Sequence, residues 1–193
     1  MKNLKKWKLL RSQIVFKNRW CQVRQDEVEL PNGQFINDYF VNVRPDIALV
    51  FPLTKNREIV FVRQYRHGVR EILLELPAGA FKADEETPES AAMRELREET
   101  GYTCERLIKL ATLYDNPVKD TNTIHLFFAA DVEKTGQQIL DITEEIEIVL
   151  IPISQVLEKI TSGEICVAGS VAAIFLGLNF FSQSGWQNFL TSP

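Results

Sequence analysis

The fold this sequence predicts is α/β in the broad sense (α+β). A mixed β-sheet is sandwiched between helices in α/β/α layers, with an antiparallel β-segment ahead of it at the N-terminus. Three observations point there. Strand-like runs recur from residue 13 to residue 151, one acidic helix interrupts them, and apolar helices close the chain. A length of 193 residues suits one main domain with a small appendage. A composition of 45% hydrophobic and 25% charged residues is ordinary for a soluble fold with a sizeable core.

Residues 13 to 43 form the β-segment. Gln13–Lys17 and Trp20–Leu30 are strand-like, and Pro31-Asn32-Gly33-Gln34 supplies a hairpin turn before Phe35–Val43. Arg44-Pro45 marks a boundary, which gives an N-terminal segment of residues 1–45 and a main domain of residues 46–193. A ribbon of two or three strands buries little by itself, so it must pack on the main domain or on a second chain.

In the main domain, Ile47–Leu53 and Glu58–Arg66 are strands around the turn Thr54–Arg57. Glu71–Leu76 is a short strand leading into Pro77-Ala78-Gly79. A polar loop opens at Gly79. A helix follows Thr87-Pro88, with Ala92, Met93 and Leu96 facing a core, and stops at Gly101. Further strands are expected at Leu107–Leu113, Thr123–Ala130 and Ile146–Ile151. Ser154 is placed to cap a helix over Gln155–Ile160 that Gly163 ends, and a last helix covers Val167–Phe181.

Several classes of function are excluded or disfavoured. A net charge of -4 gives no nucleic-acid footprint and no attraction to acidic membranes. Cys21, Cys104 and Cys166 are odd in number and widely spaced, which argues against a disulfide framework or a zinc site and fits a reducing cytoplasm. The basic start Met1–Lys8 is not followed by a long apolar run, so no signal peptide is expected. Val167–Phe181 is shorter than the about 20 residues a membrane span needs.

The acidic helix is where the chemistry lies. Glu95, Glu98 and Glu99 fall at i, i+3 and i+4 and share one helical face. Like charges at that spacing repel, and a divalent cation turns the repulsion into attraction. A solvated face with Arg94 and Arg97 pairing to glutamates one turn away is the plainer alternative.

The order of residues decides between them. Arg94-Glu95-Leu96-Arg97-Glu98-Glu99-Thr100-Gly101-Tyr102 resembles the core of the Nudix signature, R-E-U-x-E-E-x-G-U, where U is bulky and apolar. Five fixed positions match by chance on the order of 10⁻⁴ times in a chain this long. Upstream, Glu86 stands seven residues before Arg94 as in the signature, but Gly79 is one residue further from Glu86 than usual. Leu74–Gly79, Arg63-Gln64-Tyr65-Arg66 and Pro117 resemble the ADP-ribose and nucleoside-diphosphate-sugar pyrophosphatase branch of that superfamily, so the likeness covers most of residues 15 to 180.

The resemblance implies hydrolysis of the pyrophosphate bond of a nucleotide sugar, with Mg²⁺ or Mn²⁺ as cofactor. It implies Glu95 and Glu99 as metal ligands with Glu98 supporting, and the main-chain carbonyl of Ala78 as a further ligand. Arg94 and Glu86 are then an internal ion pair. The base comes from the acidic stretch Asp141–Glu147, with Glu144 first and Glu145 close behind; a solvated acidic turn is the bland alternative. Arg66 is expected to hold a phosphate oxygen, unless it serves in a strand-end ion pair. Glu75 binds substrate or supports the site, and Trp20 stacks on the base or packs the ribbon. The branch also implies a cytoplasmic homodimer formed through the N-terminal β-segment. A non-catalytic nucleotide-binding module is the competing class; it predicts loss of signature glutamates, and residues 86, 95, 98 and 99 are all glutamate here.

Overall fold

The computed structural model describes residues 3–183; Met1, Lys2 and the stretch 184–193 lie outside the described residues. The chain forms two compact units, Met1–Pro45 with Tyr114–Thr123, and Asp46–Leu113 with Ile124–Pro193.

In the first unit, β1 (Lys8–Lys17), β2 (Gln22–Glu29) and β3 (Phe35–Asn42) make an antiparallel meander. Gly33 takes φ +83° in the β2–β3 turn, a left-handed conformation that favours glycine. β1 begins earlier than its apolar pattern suggests, at Lys8, and all ten of its residues are exposed. Trp20 is not in a strand. It sits in the β1–β2 turn, where the Asn18 side-chain oxygen accepts from the Trp20 and Cys21 amides at 2.8 Å each. This Asx-type turn ends the strand before β2 starts. The segment Tyr114–Thr123 is bonded into the same unit. The Asn42 amide donates to the Lys119 carbonyl at 2.7 Å, and Arg44 Nη1 lies 3.1 Å from both Asp115 and Asp120.

The second unit contains β4 (Asp46–Leu53), β5 (Glu58–Arg66), β6 (Glu71–Glu75), β7 (Ala78–Phe81), α1 (Pro88–Thr100), β8 (Tyr102–Thr103), β9 (Leu107–Tyr114), β10 (Thr123–Ala130), β11 (Glu133–Lys134) and β12 (Ile146–Pro152). After a 3₁₀ turn at Ile153–Gln155 come α2 (Val156–Thr161) and α3 (Ala168–Gln183). The sheet runs β12-β5-β4-β10-β9, with β6 on β5 and β7 on β4. β10 pairs parallel to β4, and β4/β5, β4/β7, β5/β6 and β5/β12 are antiparallel, so the sheet is mixed.

Strand alternation builds the three layers. Ala48 and Val50 of β4 turn to one face, with Val60, Phe127, Ala129 and the α1 residues Ala91, Ala92 and Leu96. Leu49, Phe51 and Leu53 turn to the other, with Phe61, Leu126, Phe128 and the α3 residues Ile174 and Phe181. A central strand covered on both faces reads as one apolar run, which is why Ile47–Leu53 is legible without clear alternation. A Cβ at Gly177 would stand 2.2 Å from the Phe51 ring, so glycine there sets how closely α3 lies on the sheet.

The second unit also departs from expectation, at Gly79, Met93 and Ser154. Gly79 does not open a loop but lies within β7, whose polar edge bonds make a strand of a sequence without strand-like alternation. Met93 is 41% exposed, and Ala91 is buried in its stead. Ser154 caps nothing. It lies inside the 3₁₀ turn, and α2 has no side-chain cap bond.

Candidate active site

The site is built on α1. Thr87 Oγ1 accepts from the Ser90 amide at 3.2 Å, and Pro88 occupies the first turn, where its missing N–H costs nothing. The helix ends at Gly101, φ +72°, whose N–H donates to the Arg97 carbonyl at 2.8 Å. A Cβ there would also meet the Gly136 carbonyl oxygen at 2.4 Å, so both conformation and space demand glycine. The strap Thr135–Ile139 crosses this end. The Thr135 and Gly136 amides donate to the Gly101 carbonyl at 3.0 and 3.1 Å, and Ile139 N–H donates to the Glu98 carbonyl at 2.8 Å.

At about 100° per residue, positions 91, 92, 95, 96 and 99 fall in one arc. Glu95 and Glu99 are therefore buried on the core side, 9% and 4% exposed, while Glu98 sits half-buried at the flank. Glu99 Oε2 accepts from the Ala78 N–H of β7 at 3.0 Å. The Glu95 carboxylate occupies the space above Gly79, where a Cβ would lie 1.9 Å from its Cδ. Burial pushes the Glu99 carboxyl up to about 8 against the opposing Ala78 N–H, and the charge of Glu95 adds to the shift. Burial also raises Glu95, with Arg94 opposing.

Arg94 gathers the rest. Its Nη2 and Nε donate to the two Glu86 oxygens at 2.7 and 3.3 Å, and Nη1 donates to Glu95 at 2.6 Å and Glu98 at 3.0 Å. The bond to Glu86 is the chief cause of its raised pKa. The additional residue before Glu86 is taken up in an exposed turn, where the Glu85 and Glu86 amides donate to the Lys82 carbonyl at 2.9 and 3.1 Å. Phe81 stays buried on one side of that turn and Glu86 still reaches Arg94 on the other.

Arg66 makes the ion pair foreseen as its alternative. Its Nε and Nη2 donate to the two oxygens of buried Glu75 at 2.8 and 3.0 Å. That bond chiefly raises the Arg66 pKa, and the charges of Glu99 and Glu144 contribute. Glu144 is half-buried, and its charge also bears on Glu95 and Glu99. Its Oε2 accepts from the Asp141 amide at 2.9 Å. Glu145 is exposed. Trp20, 68% exposed with the Arg19 guanidinium 4.6 Å from its ring, belongs to the first unit. Ala78, Glu95, Glu98 and Glu99 are thus brought together with Arg94 and Glu86, and Arg66, Glu75 and Glu144 are electrostatically linked to them. Gln138 joins the site without any local pattern to single it out: its Nε2 donates to the Glu99 carbonyl at 2.6 Å.

Among the described residues, no group of three His, Cys, Asp or Glu side chains is already gathered at ligating positions. The donors nonetheless fit a hard divalent cation. All are oxygens, two are carboxyls side by side whose pKa values burial raises, so a charge brought to them favours their ionised form, and Gly79 leaves the space one of them occupies.

An α/β/α sheet that lays buried glutamates of a helix against the backbone of a short strand defines an oxygen-donor class of site, one whose chemistry fits a divalent cation. The chain belongs to the Nudix family. The model of the NUDIX domain matches residues 43–166, and that of the nucleoside diphosphate sugar hydrolase N-terminal domain matches residues 7–42. The chain is 31% identical over 175 residues to the ADP-ribose pyrophosphatase of Bacillus subtilis (strain 168), covering 90% of this chain and 93% of that one. It is 32% identical over 168 residues to the methanol dehydrogenase activator of Bacillus methanolicus, covering 86% and 90%. A crystal structure of an ADP compounds hydrolase superposes with a TM-score of 0.84 at 23% identity, over 96% of this chain and 99% of that one, a likeness of fold.

Proposed function

We propose that the protein hydrolyses the pyrophosphate bond of a nucleoside diphosphate linked to a sugar, ADP-ribose or an ADP- or GDP-sugar, giving a nucleoside monophosphate and a sugar phosphate. The observation that carries this is the buried pair Glu95 and Glu99 set against Ala78 and Gly79. The B. subtilis relative's name and the match to the sugar-nucleotide hydrolase N-terminal domain support the substrate class.

Glu95, Glu99 and the Ala78 carbonyl, with Glu98 beside them, hold Mg²⁺ or Mn²⁺ in this reading. The N–H and C=O of an extended residue project to the same edge, and the Ala78 N–H is directed at Glu99, which supports the carbonyl as a ligand. Such a cation offsets the charge of the phosphates and polarises the scissile P–O bond. Arg94, anchored by Glu86, orients Glu95 and Glu98. Arg66, its plane fixed by Glu75, neutralises a phosphate oxygen. Glu144 takes the proton of the attacking water; its partial burial and its coupling to Glu95 and Glu99 favour it over Glu145.

The protein acts in the cytoplasm as a homodimer joined through its N-terminal β-segment. Support comes from β1, exposed along its whole length and carrying Leu9, Ile14, Val15 and Phe16 at 44–58% exposure. Among the described residues, no helix is long and apolar enough to cross a membrane.

The test is release of nucleoside monophosphate from ADP-ribose, ADP-glucose and GDP-mannose with Mg²⁺. Turnover of at least one is expected. Failure across a broad nucleotide panel overturns the enzyme, and turnover of dinucleoside polyphosphates or NADH alone reassigns the substrate.

A further inference from the structure

We propose that Gln138 is a positioning residue that holds the acidic loop Asp141–Glu145 at a fixed place relative to the glutamate-bearing end of α1. This rests on the hydrolase reading, in which Glu144 is the base. A single amide nitrogen, Gln138 Nε2, donates to two main-chain carbonyls: that of Glu99 at 2.6 Å and that of Ile146 at 3.1 Å.

The two acceptors matter because of where they stand. Glu99 lies in the last turn of α1, where carbonyls have no partner within the helix. The Glu98 carbonyl is taken by the Ile139 amide, and the Glu99 carbonyl is taken by this side chain. Ile146 is the first residue of β12 and follows Glu145 directly. The bond from Gln138 to Ile146 therefore closes the neck of segment 138–146, and the same nitrogen ties that neck to the helix.

Beyond the neck the loop has little to locate it. Asp141, Ile142, Thr143 and Glu145 are exposed, Ile142 completely. Its internal order comes from the Glu144 amide donating to the Asp141 carbonyl and the Asp141 amide donating to Glu144 Oε2, each at 2.9 Å. Those bonds fix Glu144 within the loop but not the loop within the protein. A segment with few apolar contacts opens easily, so its anchors decide where Glu144 stands: the β12–β5 pairing holds Ile146, the Glu98 carbonyl holds Ile139, and Gln138 joins the two ends. A base must be held within hydrogen-bond reach of its proton, and small misplacements are costly.

The test uses Gln138→Glu, which keeps the shape but loses the donor, and Gln138→Leu, which keeps approximate size only. In metal-free full-length protein, amide exchange of residues 141–146 should accelerate at least about tenfold in both variants, while α1 and the centre of β5 keep wild-type protection. With Mg²⁺ and the substrate that wild type turns over, kcat should fall roughly ten- to a hundredfold while KM stays within about twofold. Wild-type exchange in the loop of both variants overturns the proposal, as does a kcat within twofold of wild type. Accelerated exchange across the whole second unit also overturns it, because Gln138 is then a general structural brace. If wild type turns over no nucleotide, the hydrolase reading fails and the exchange measurement alone still decides whether Gln138 holds the loop.

Discussion

Two stretches of this chain are dense in carboxylates, and the structure treats them oppositely. Glu95 and Glu99 on α1 are turned into the core layer beneath β7, while Asp141, Glu145 and Glu147 stand in solvent and only Glu144 is half-buried. In the first, burial keeps water away and leaves Arg94 and the Ala78 N–H to answer the charge. In the second, Glu147 pairs with Arg63 at 2.9 Å and the remaining exposed carboxylates face solvent. In the proposed mechanism the same residue type thus serves as a set of cation donors in one place and as a proton acceptor with access to water in the other.

The sharpest way to break this contrast is Glu99→Gln. Burial and the Ala78 bond survive, because an amide oxygen still accepts from that N–H, but the charge does not. Loss of about 10⁴-fold in turnover is expected with the fold retained, since several kcal/mol of charge stabilisation depend on the cation. Full activity in that variant, measured as nucleoside monophosphate release beside an unchanged circular dichroism spectrum, refutes the ligand assignment.

Next comes the loop. Glu144→Gln should lower kcat roughly 10²-fold, the lower end for a positioned base, while Glu145→Gln stays within about threefold of wild type. The reverse order of effects across pH 6 to 9 would hand the proton transfer to Glu145.

Gly79→Ala probes the boundary between helix and strand. The new Cβ claims the space of the Glu95 carboxylate, which is the movable end of a side chain, so the backbone need not shift. The Mg²⁺ concentration for half-maximal activity should rise about tenfold or more, with the melting temperature within a few degrees of wild type. An unchanged Mg²⁺ requirement would show that Glu95 is dispensable as a donor.

Why this contrast was only half legible follows from the same residues. The i, i+3, i+4 spacing of Glu95, Glu98 and Glu99 and the stop at Gly101 are properties of one helix, so the sequence carries them directly. So are the strands Glu58–Arg66 and Thr123–Ala130, whose apolar residues recur within a single element. Burial of Glu95 and Glu99 is different, because it depends on β7 lying across them, and Ala78–Phe81 has no strand pattern of its own. Met93 was misplaced for the complementary reason. Periodicity finds an apolar arc, but α1 turns Ala91, Ala92 and Leu96 to the sheet with Glu95 and Glu99 buried in the same arc, which leaves Met93 outside it. Gln138 joins two carbonyls distant in sequence, information no local window contains.

The smallest effect expected concerns stability without metal, and it asks whether burial of Glu99 is as costly as its position implies. The folded chain holds the Glu99 proton up to about pH 8, whereas an unfolded chain releases it near 4.3, the ordinary glutamate value. Below about 4.3 both states are protonated and the group does not distinguish them. Between there and about 8 the unfolded state binds fewer protons, so stability falls as pH rises, and the decline stops once the folded state has released its proton too. Glu95, raised by burial as well, acts in the same direction. In chelator, the melting temperature of wild type should therefore drop by several degrees from pH 5 to pH 8, at about 2–4 °C per kcal/mol for a chain of this size. Glu99→Gln carries no such proton, so its curve should be flatter and should lie above wild type at pH 8. Excess Mg²⁺ at pH 8 should raise wild type more than the variant, because only the charged carboxylate gains a partner. Parallel melting curves for the two proteins across that range would mean that Glu99 is solvated in the metal-free chain and that the contrast with the loop is one of position alone.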